Sequence, residues 1–176
     1  MKKKNAVNKS GFTLLELLVV VVIIGILASI ALPQYQHSVD KAKFVQLKTA
    51  AKAIKDAQTR YMLINQEWTF NLSLLDIEIQ GGEYKNLSSE KDKILFDWGD
   101  CHVSQGSARD GILCGLHTPH VRYRIFFSSN NKQCWAFDSG GNRALKLCES
   151  EMPNSTSVHY SGAGYCGAPC TVFTGY

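Results

Sequence analysis

Acidic residues are missing from the first fifteen positions of this 176-residue chain, and from Phe12 to Leu32 a single charged side chain, Glu16, interrupts an apolar run. Cysteine is missing before position 101, and of the 4 prolines only Pro33 lies in the N-terminal third. No nucleophile elbow, phosphate-binding loop or Rossmann unit is present, and no local Ser/His/Asp set. The common signatures of hydrolases and nucleotide-dependent enzymes are therefore lacking, and the expectation is a non-enzyme. The acid-free start carries Lys2, Lys3, Lys4 and Lys9, and basic flanks of a membrane segment stay cytoplasmic. The cysteine-free first half excludes disulfides there and leaves them to the remainder.

What is there begins with the run itself. Phe12 to Leu32 is 21 residues, about 31 Å as a helix, enough to cross a hydrocarbon core of about 30 Å once. Everything after Leu32 is then exported. A secretory signal peptide has a shorter apolar stretch, roughly 7–15 residues, and Ala28-Ser29-Ile30-Ala31 matches a cleavage site only in part. A plain anchor explains the length but not Glu16. A carboxylate in lipid costs about 2.5–3.5 kcal/mol on insertion scales and calls for a partner. Nothing else within the span is expected to pair with it.

Gly11-Phe12-Thr13-Leu14-Leu15-Glu16-Leu17-Leu18, followed by the long apolar run, resembles the class III signal of type IV pilins and type II secretion pseudopilins. The resemblance runs closely from Ser10 to Gln36. It implies cleavage between Gly11 and Phe12 by a prepilin peptidase/N-methyltransferase, and methylation of Phe12. It also implies that Glu16 pairs with the Phe12 amine of a neighbouring subunit, and that the stretch near Gly25 and Pro33 can unwind in a fibre. Other implied partners are further pilin or pseudopilin subunits, an inner-membrane assembly platform, and membrane lipid before assembly. Removing the leader takes four lysines from the 19 Lys+Arg and leaves 15 basic against 15 acidic side chains. The mature chain is neutral, so no specific nucleic-acid partner follows from its charge.

Beyond Pro33, Val39, Ala42, Leu47, Ala50, Ala51, Ile54, Ala57, Tyr61 and Ile64 recur mainly every three or four residues, with lysines on other faces. This is an amphipathic continuation of the helix. Trp68, Phe70, Leu72 and Leu75 read as packing anchors in a connecting segment with a short helical turn. Strands are expected at 94–97, 112–116, 121–128, 133–137 and 144–148, with a hairpin turn at Ser139-Gly140-Gly141-Asn142. The expected organisation is α+β and pilin-like: a long spine helix packed on an antiparallel sheet of four or five strands. By residue it comprises a leader (1–11), a transmembrane or filament-core half-helix (12–33), an amphipathic half-helix (34–64), a connecting loop region (65–93) and a disulfide-stapled β head with a C-terminal loop (94–176).

An even set of six cysteines on the exported side argues for disulfides. Of fifteen possible pairings, nearest-neighbour closure is expected: Cys101–Cys114, Cys134–Cys148 across the glycine turn, and Cys166–Cys170. His102, His117 and His120 beside Cys101 and Cys114 offer zinc-like donors, but oxidised thiols leave the histidines as loop residues. Asp97–Asp100 and Asp138–Asn142 have calcium-like oxygens without EF-hand spacing, so no cofactor is expected, with calcium the open alternative. Asn154-Ser155-Thr156 fits a glycosylation sequon. The functional expectation is a type IV pilus-like structural subunit, located in the bacterial inner membrane before assembly. A type II secretion pseudopilin is the alternative, and a membrane-tethered enzyme or a DNA- or surface-binding minor pilin is less favoured.

Overall fold

The computed structural model describes residues 11–87, 90–104, 111–129, 131–162 and 165–175. Leader residues 1–10, with Lys2, Lys3, Lys4 and Lys9, lie outside the described residues. The chain divides into two units, one ending at Gln36 and one from His37 onward.

Helix α1 runs Leu14–Asn65 and contains Pro33. In the first unit its side chains are exposed apart from half-buried Ala28. In the second unit Asp40, Phe44, Leu47, Ala50, Ala51, Ile54, Ala57 and Gln58 are buried, a stripe at helical spacing. The expected stripe is corrected at three points. Phe44 is fully buried, whereas Ala42 and Ile64 are exposed; at 100° per residue the last two fall off the line through Leu47 and Ile54. Gln58 fixes the chain leaving the helix: its Nε2 donates to Thr69 O (2.6 Å) and its Oε1 accepts from Thr69 N (3.2 Å). A short 3-10 turn at Leu72–Leu74, capped by Asn71, follows. Leu72 and Leu75 are buried and Trp68 stacks on Phe127 at 4.4 Å, but Phe70 is exposed.

Among the described residues eight strands form one antiparallel sheet: β1 Glu83–Leu87, β2 Glu90–Phe96, β3 Gly99–Ser104, β4 Gly111–Leu116, β5 Val121–Phe126, β6 Lys132–Phe137, β7 Thr156–Tyr160 and β8 Cys170–Gly175. Their order is β1-β2-β3-β4-β5-β6-β8-β7. The expectation of four or five strands is too low, and the extra ones have identifiable causes. β1 and the start of β2 occupy the supposed connecting loop, where Glu83, Lys85 and the charged run Glu90-Lys91-Asp92-Lys93 leave no apolar period of two to read. β3 opens on Gly99, which reads as a turn residue in sequence, yet the close approach across the ladder needs it: a Cβ there would sit 1.9 Å from Gly115 O. β7 and β8 occupy the tail expected to be loop, and β8 pairs with β6 across more than thirty intervening residues.

The segment expected to be a strand at 144–148 is helix α2, Gly141–Glu151. Ala144, Leu147 and Cys148 are buried at helical spacing, and Gly141 takes a positive φ of 58° that opens the helix where a hairpin turn was expected. Cys134–Cys148 therefore joins β6 to α2 and not two neighbouring strands. Asp40 receives Arg143 from α2 in a two-pronged ion pair at 2.9–3.1 Å.

The main core lies between the buried stripe of α1 and one sheet face, joining Phe44, Leu47 and Ile54 to Ile94, Val103, Ile112, Val121 and Tyr123. Each such side chain contributes roughly 1.5–3 kcal/mol on burial. Phe44 meets Tyr123 edge-on at 5.6 Å. A second cluster joins Leu113, Trp135, Phe137, Cys170 and Val172, on strands β4, β6 and β8, to Cys166 of the loop before β8. In β4 all six residues are buried, which follows from a strand covered on both faces.

Candidate functional site

Thr13 precedes α1, and its carbonyl accepts the first helical bond from Leu17 N (3.2 Å). Its backbone N–H donates to Glu16 Oε2 (2.9 Å), its hydroxyl donates to the same oxygen (2.7 Å), and Glu16 N–H donates back to Thr13 Oγ1 (3.2 Å). This is a capping box: a Thr N-cap and a Glu three residues later satisfy each other's amides. The expectation that nothing in the span pairs with Glu16 is thereby corrected. The Thr-x-x-Glu spacing signals the arrangement in the sequence. The carboxylate also stands at the helix N-terminus, where the macrodipole favours negative charge. Gly11 and Phe12 lie just ahead of it, exposed.

Behind the box, the apolar side chains from Leu14 to Leu32 are exposed apart from half-buried Ala28. Among the described residues one helix, α1, is long and apolar enough to cross a membrane. Ser29 donates its hydroxyl to Ile26 O (2.7 Å), so its polarity is met within the helix. Pro33 brings no N–H for the carbonyl of Ser29, one turn back. Glu16 and Pro33 thus sit at opposite ends of this exposed segment, seventeen positions apart.

In the second unit the cysteines pair as Cys101–Cys114, Cys134–Cys148 and Cys166–Cys170. The first pair links directly opposed residues of β3 and β4, and the third closes the loop that leads into β8. Near the β2–β3 and β4–β5 turns, His102 Nδ1 lies 3.1 Å from Asp100 Oδ2, and His117 Nε2 lies 3.9 Å from Asp100 Oδ1. Burial works against the Asp100 charge, but the His102 hydrogen bond and the nearby His102, Arg122 and Lys93 charges outweigh it and hold its pKa below the usual range. His120 stacks on Phe137 at 4.2 Å and meets Ser139 Oγ at 2.8 Å; burial, then Arg122 and His117, press its pKa down. Among the described residues no group of three or more His, Cys, Asp or Glu is placed to hold a metal ion. Cys101 and Cys114 are bonded to each other, so they cannot join His102 and His117 as ligands. Asn154 lies exposed in the turn before β7 with a φ of 66°.

Residues 7–32 match the family described as the prokaryotic N-terminal methylation motif. The chain is 43% identical over 100 residues to a fimbrial protein of Neisseria meningitidis serogroup B, covering 54% of this chain and 59% of the relative. It is 41% identical over 63 residues to a type IV major pilin protein of Neisseria gonorrhoeae, covering 36% of this chain and 38% of the relative. It is 49% identical over 58 residues to the type II secretion system core protein G of Pseudomonas aeruginosa, covering 33% and 41%. The matches thus span less than two thirds of each relative's length. No solved structure matches the chain. The chain carries the prokaryotic N-terminal methylation motif and is similar to type IV pilins and to a type II secretion core protein.

Proposed function

We propose that this chain is a structural subunit of a type IV pilus-like filament, made as a precursor and assembled through α1. The observation that carries the proposal is the methylation motif at residues 7–32, continuous with an exposed apolar helix and followed by a disulfide-bonded α+β head. A peptidase cuts between Gly11 and Phe12 and the Phe12 amine is methylated. The membrane holds the segment 12–33 first, with the head on the exported side. The filament core then takes it over, at little cost, because both environments are apolar. Glu16 exchanges the Thr13 bonds for the Phe12 amine of a neighbour, which sets the register of insertion. The role is assembly; no catalytic step and no resident cofactor enters it.

Mass spectrometry of the mature N-terminus tests the processing, with methylated Phe12 as the expected result and an intact Met1 as the refutation. Glu16→Ala is expected to leave membrane insertion intact and abolish filament incorporation; normal filaments would refute the pairing role. The identity to the type II secretion core protein favours a second reading, a short periplasmic pseudopilus. Assembly by a secretin-linked secretion machine in place of a pilus machine distinguishes the two.

A further inference from the structure

Among the described strands the sheet ends on β1 at one side and on β7 at the other. An open edge presents unpaired backbone N–H and C=O groups, and proteins blunt such edges with charge, proline, a bulge or a cover. β1 is blunted: it carries Glu83 and Lys85, and its register slips between Lys85 and Leu87. β7 has none of these devices. Thr156, Ser157, Val158, His159 and Tyr160 pair one for one with β8, from Thr156 opposite Thr174 to Tyr160 opposite Cys170, with no slip. No acid, lysine, arginine or proline lies among the five, and four of them are exposed.

An apolar row crosses the sheet to this edge. Trp135 of β6 opposes Val172 of β8, and Val172 opposes Val158 of β7. Trp135 and Val172 are buried in the second cluster, whereas Val158 is 53% exposed. The row therefore ends on an uncovered side chain beside a row of unpaired backbone groups.

We infer that β7 pairs antiparallel with β7 of a second copy, Val158 opposite Val158, and that this contact joins chains of neighbouring filaments. The inference rests on the filament reading and adds to it a contact between filaments. Self-pairing is argued by register. A twofold axis normal to the sheet keeps each side chain on its own face, and successive residues alternate faces, so only registers that shift by two residues are open. Centring on Val158 brings all five residues of β7 into the pairing: Val158 with Val158, Ser157 with His159, Thr156 with Tyr160. Centring on Ser157 or His159 keeps only three of them opposite strand residues. The Val158 register continues the apolar row into the second copy, sets β-branched Thr156 against an aromatic ring and opposes no like charges.

Size decides where this contact acts. Five residues a side fall far below the roughly 20–30 a side of a stable interface, so free subunits stay apart. Repeated along two filaments, the same contact gains about 10²–10⁴-fold from multivalency. It is also isologous and closes on itself, so it adds no subunit to a filament and is distinct from any contact that builds one.

The test uses full-length Val158→Lys and Val158→Glu chains in cells that assemble the wild-type protein. Sheared filaments are sedimented at low speed, which collects bundles and leaves single filaments in the supernatant; total filament yield and intact disulfides report assembly and folding separately. Each variant alone sets like charges face to face, so its bundled fraction is expected to fall about tenfold at unchanged filament yield. Mixing Val158→Lys filaments with Val158→Glu filaments opposes unlike charges and is expected to restore bundling to within about twofold of wild type. Wild-type filaments that stay single, or either variant alone bundling as the wild type does, would overturn the inference. Loss in both variants without recovery on mixing would also overturn it and assign the β7 edge to a strand of another protein. A wild-type chain that never enters a filament would instead remove the filament reading itself.

Discussion

Replacing Arg143 by Met tests whether α2 is held to α1 chiefly by charge. The Asp40 side chain is 4% exposed and that of Arg143 is 47% exposed, so truncation leaves a carboxylate in a nearly dry site. Breaking a buried pair from one side costs about 3–5 kcal/mol. About half of the Arg143 side chain already faces water, which discounts the figure to about 2 kcal/mol. A chain of this size loses about 2–4 °C of Tm per kcal/mol, so Arg143→Met is expected to melt about 4–8 °C lower. The assay is near-ultraviolet circular dichroism of the full chain in detergent, with disulfides intact, for Asp40→Asn, Arg143→Met and the double variant. Removing both partners leaves no orphan charge, so a coupling energy of at least about 1 kcal/mol is expected. Additive effects within about 0.5 kcal/mol would refute the argument and assign the docking of α2 to Cys134–Cys148 and apolar contact alone.

Other outcomes are checked more briefly. Burial, with a smaller contribution from the Glu151 charge, pushes Tyr123 up to about 12. The folded chain therefore keeps a proton that the unfolded chain releases near pH 10, and stability falls as pH rises from 10 to 12. At 1.36 kcal/mol per unit the loss approaches about 2–3 kcal/mol; Tyr123→Phe should flatten this slope in alkaline urea titrations, and an unchanged slope would count against it. Replacing Cys134 and Cys148 together by Ser opens a loop spanning a sequence separation of 14, and should cost about 3 kcal/mol in denaturant midpoint experiments. An unmoved midpoint would show that α2 needs no covalent tie. Thr13→Val should loosen the first turn of α1 by about 1 kcal/mol. Hydrogen exchange at residues 14–17 in micelles reads this directly, and unchanged protection would dismiss the capping box.

The long helix was legible because its signals are local. Twenty-one residues from Phe12 to Leu32 with one charge, then Leu47, Ala50, Ile54 and Ala57 at helical spacing, need no knowledge of the remaining chain. Glu16 announced itself as a misfit charge, but its Thr13 partner was passed over although Thr-x-x-Glu is a local signal too. The head was harder for a physical reason. α2 is short, polar on its outer face and opens on Gly140-Gly141, so composition favoured a turn while the buried Ala144, Leu147 and Cys148 were decided by β6 and α1. β8 lies between β6 and β7, and its Ser-, Gly- and Pro-rich approach hides a strand that only non-local pairing creates.

That strand order has a consequence for how the head is completed. β8 is interior to the sheet although it follows every other strand in the chain. Until Cys170–Gly175 slots in, β6 presents a raw edge, β7 has nothing to pair with, and Leu113, Trp135 and Phe137 lack part of their cover. The last of the described strands therefore acts as a keystone: until it is in place the sheet keeps an open edge. Closure of the sheet is thereby made to wait on the strand that comes last in chain order among those described.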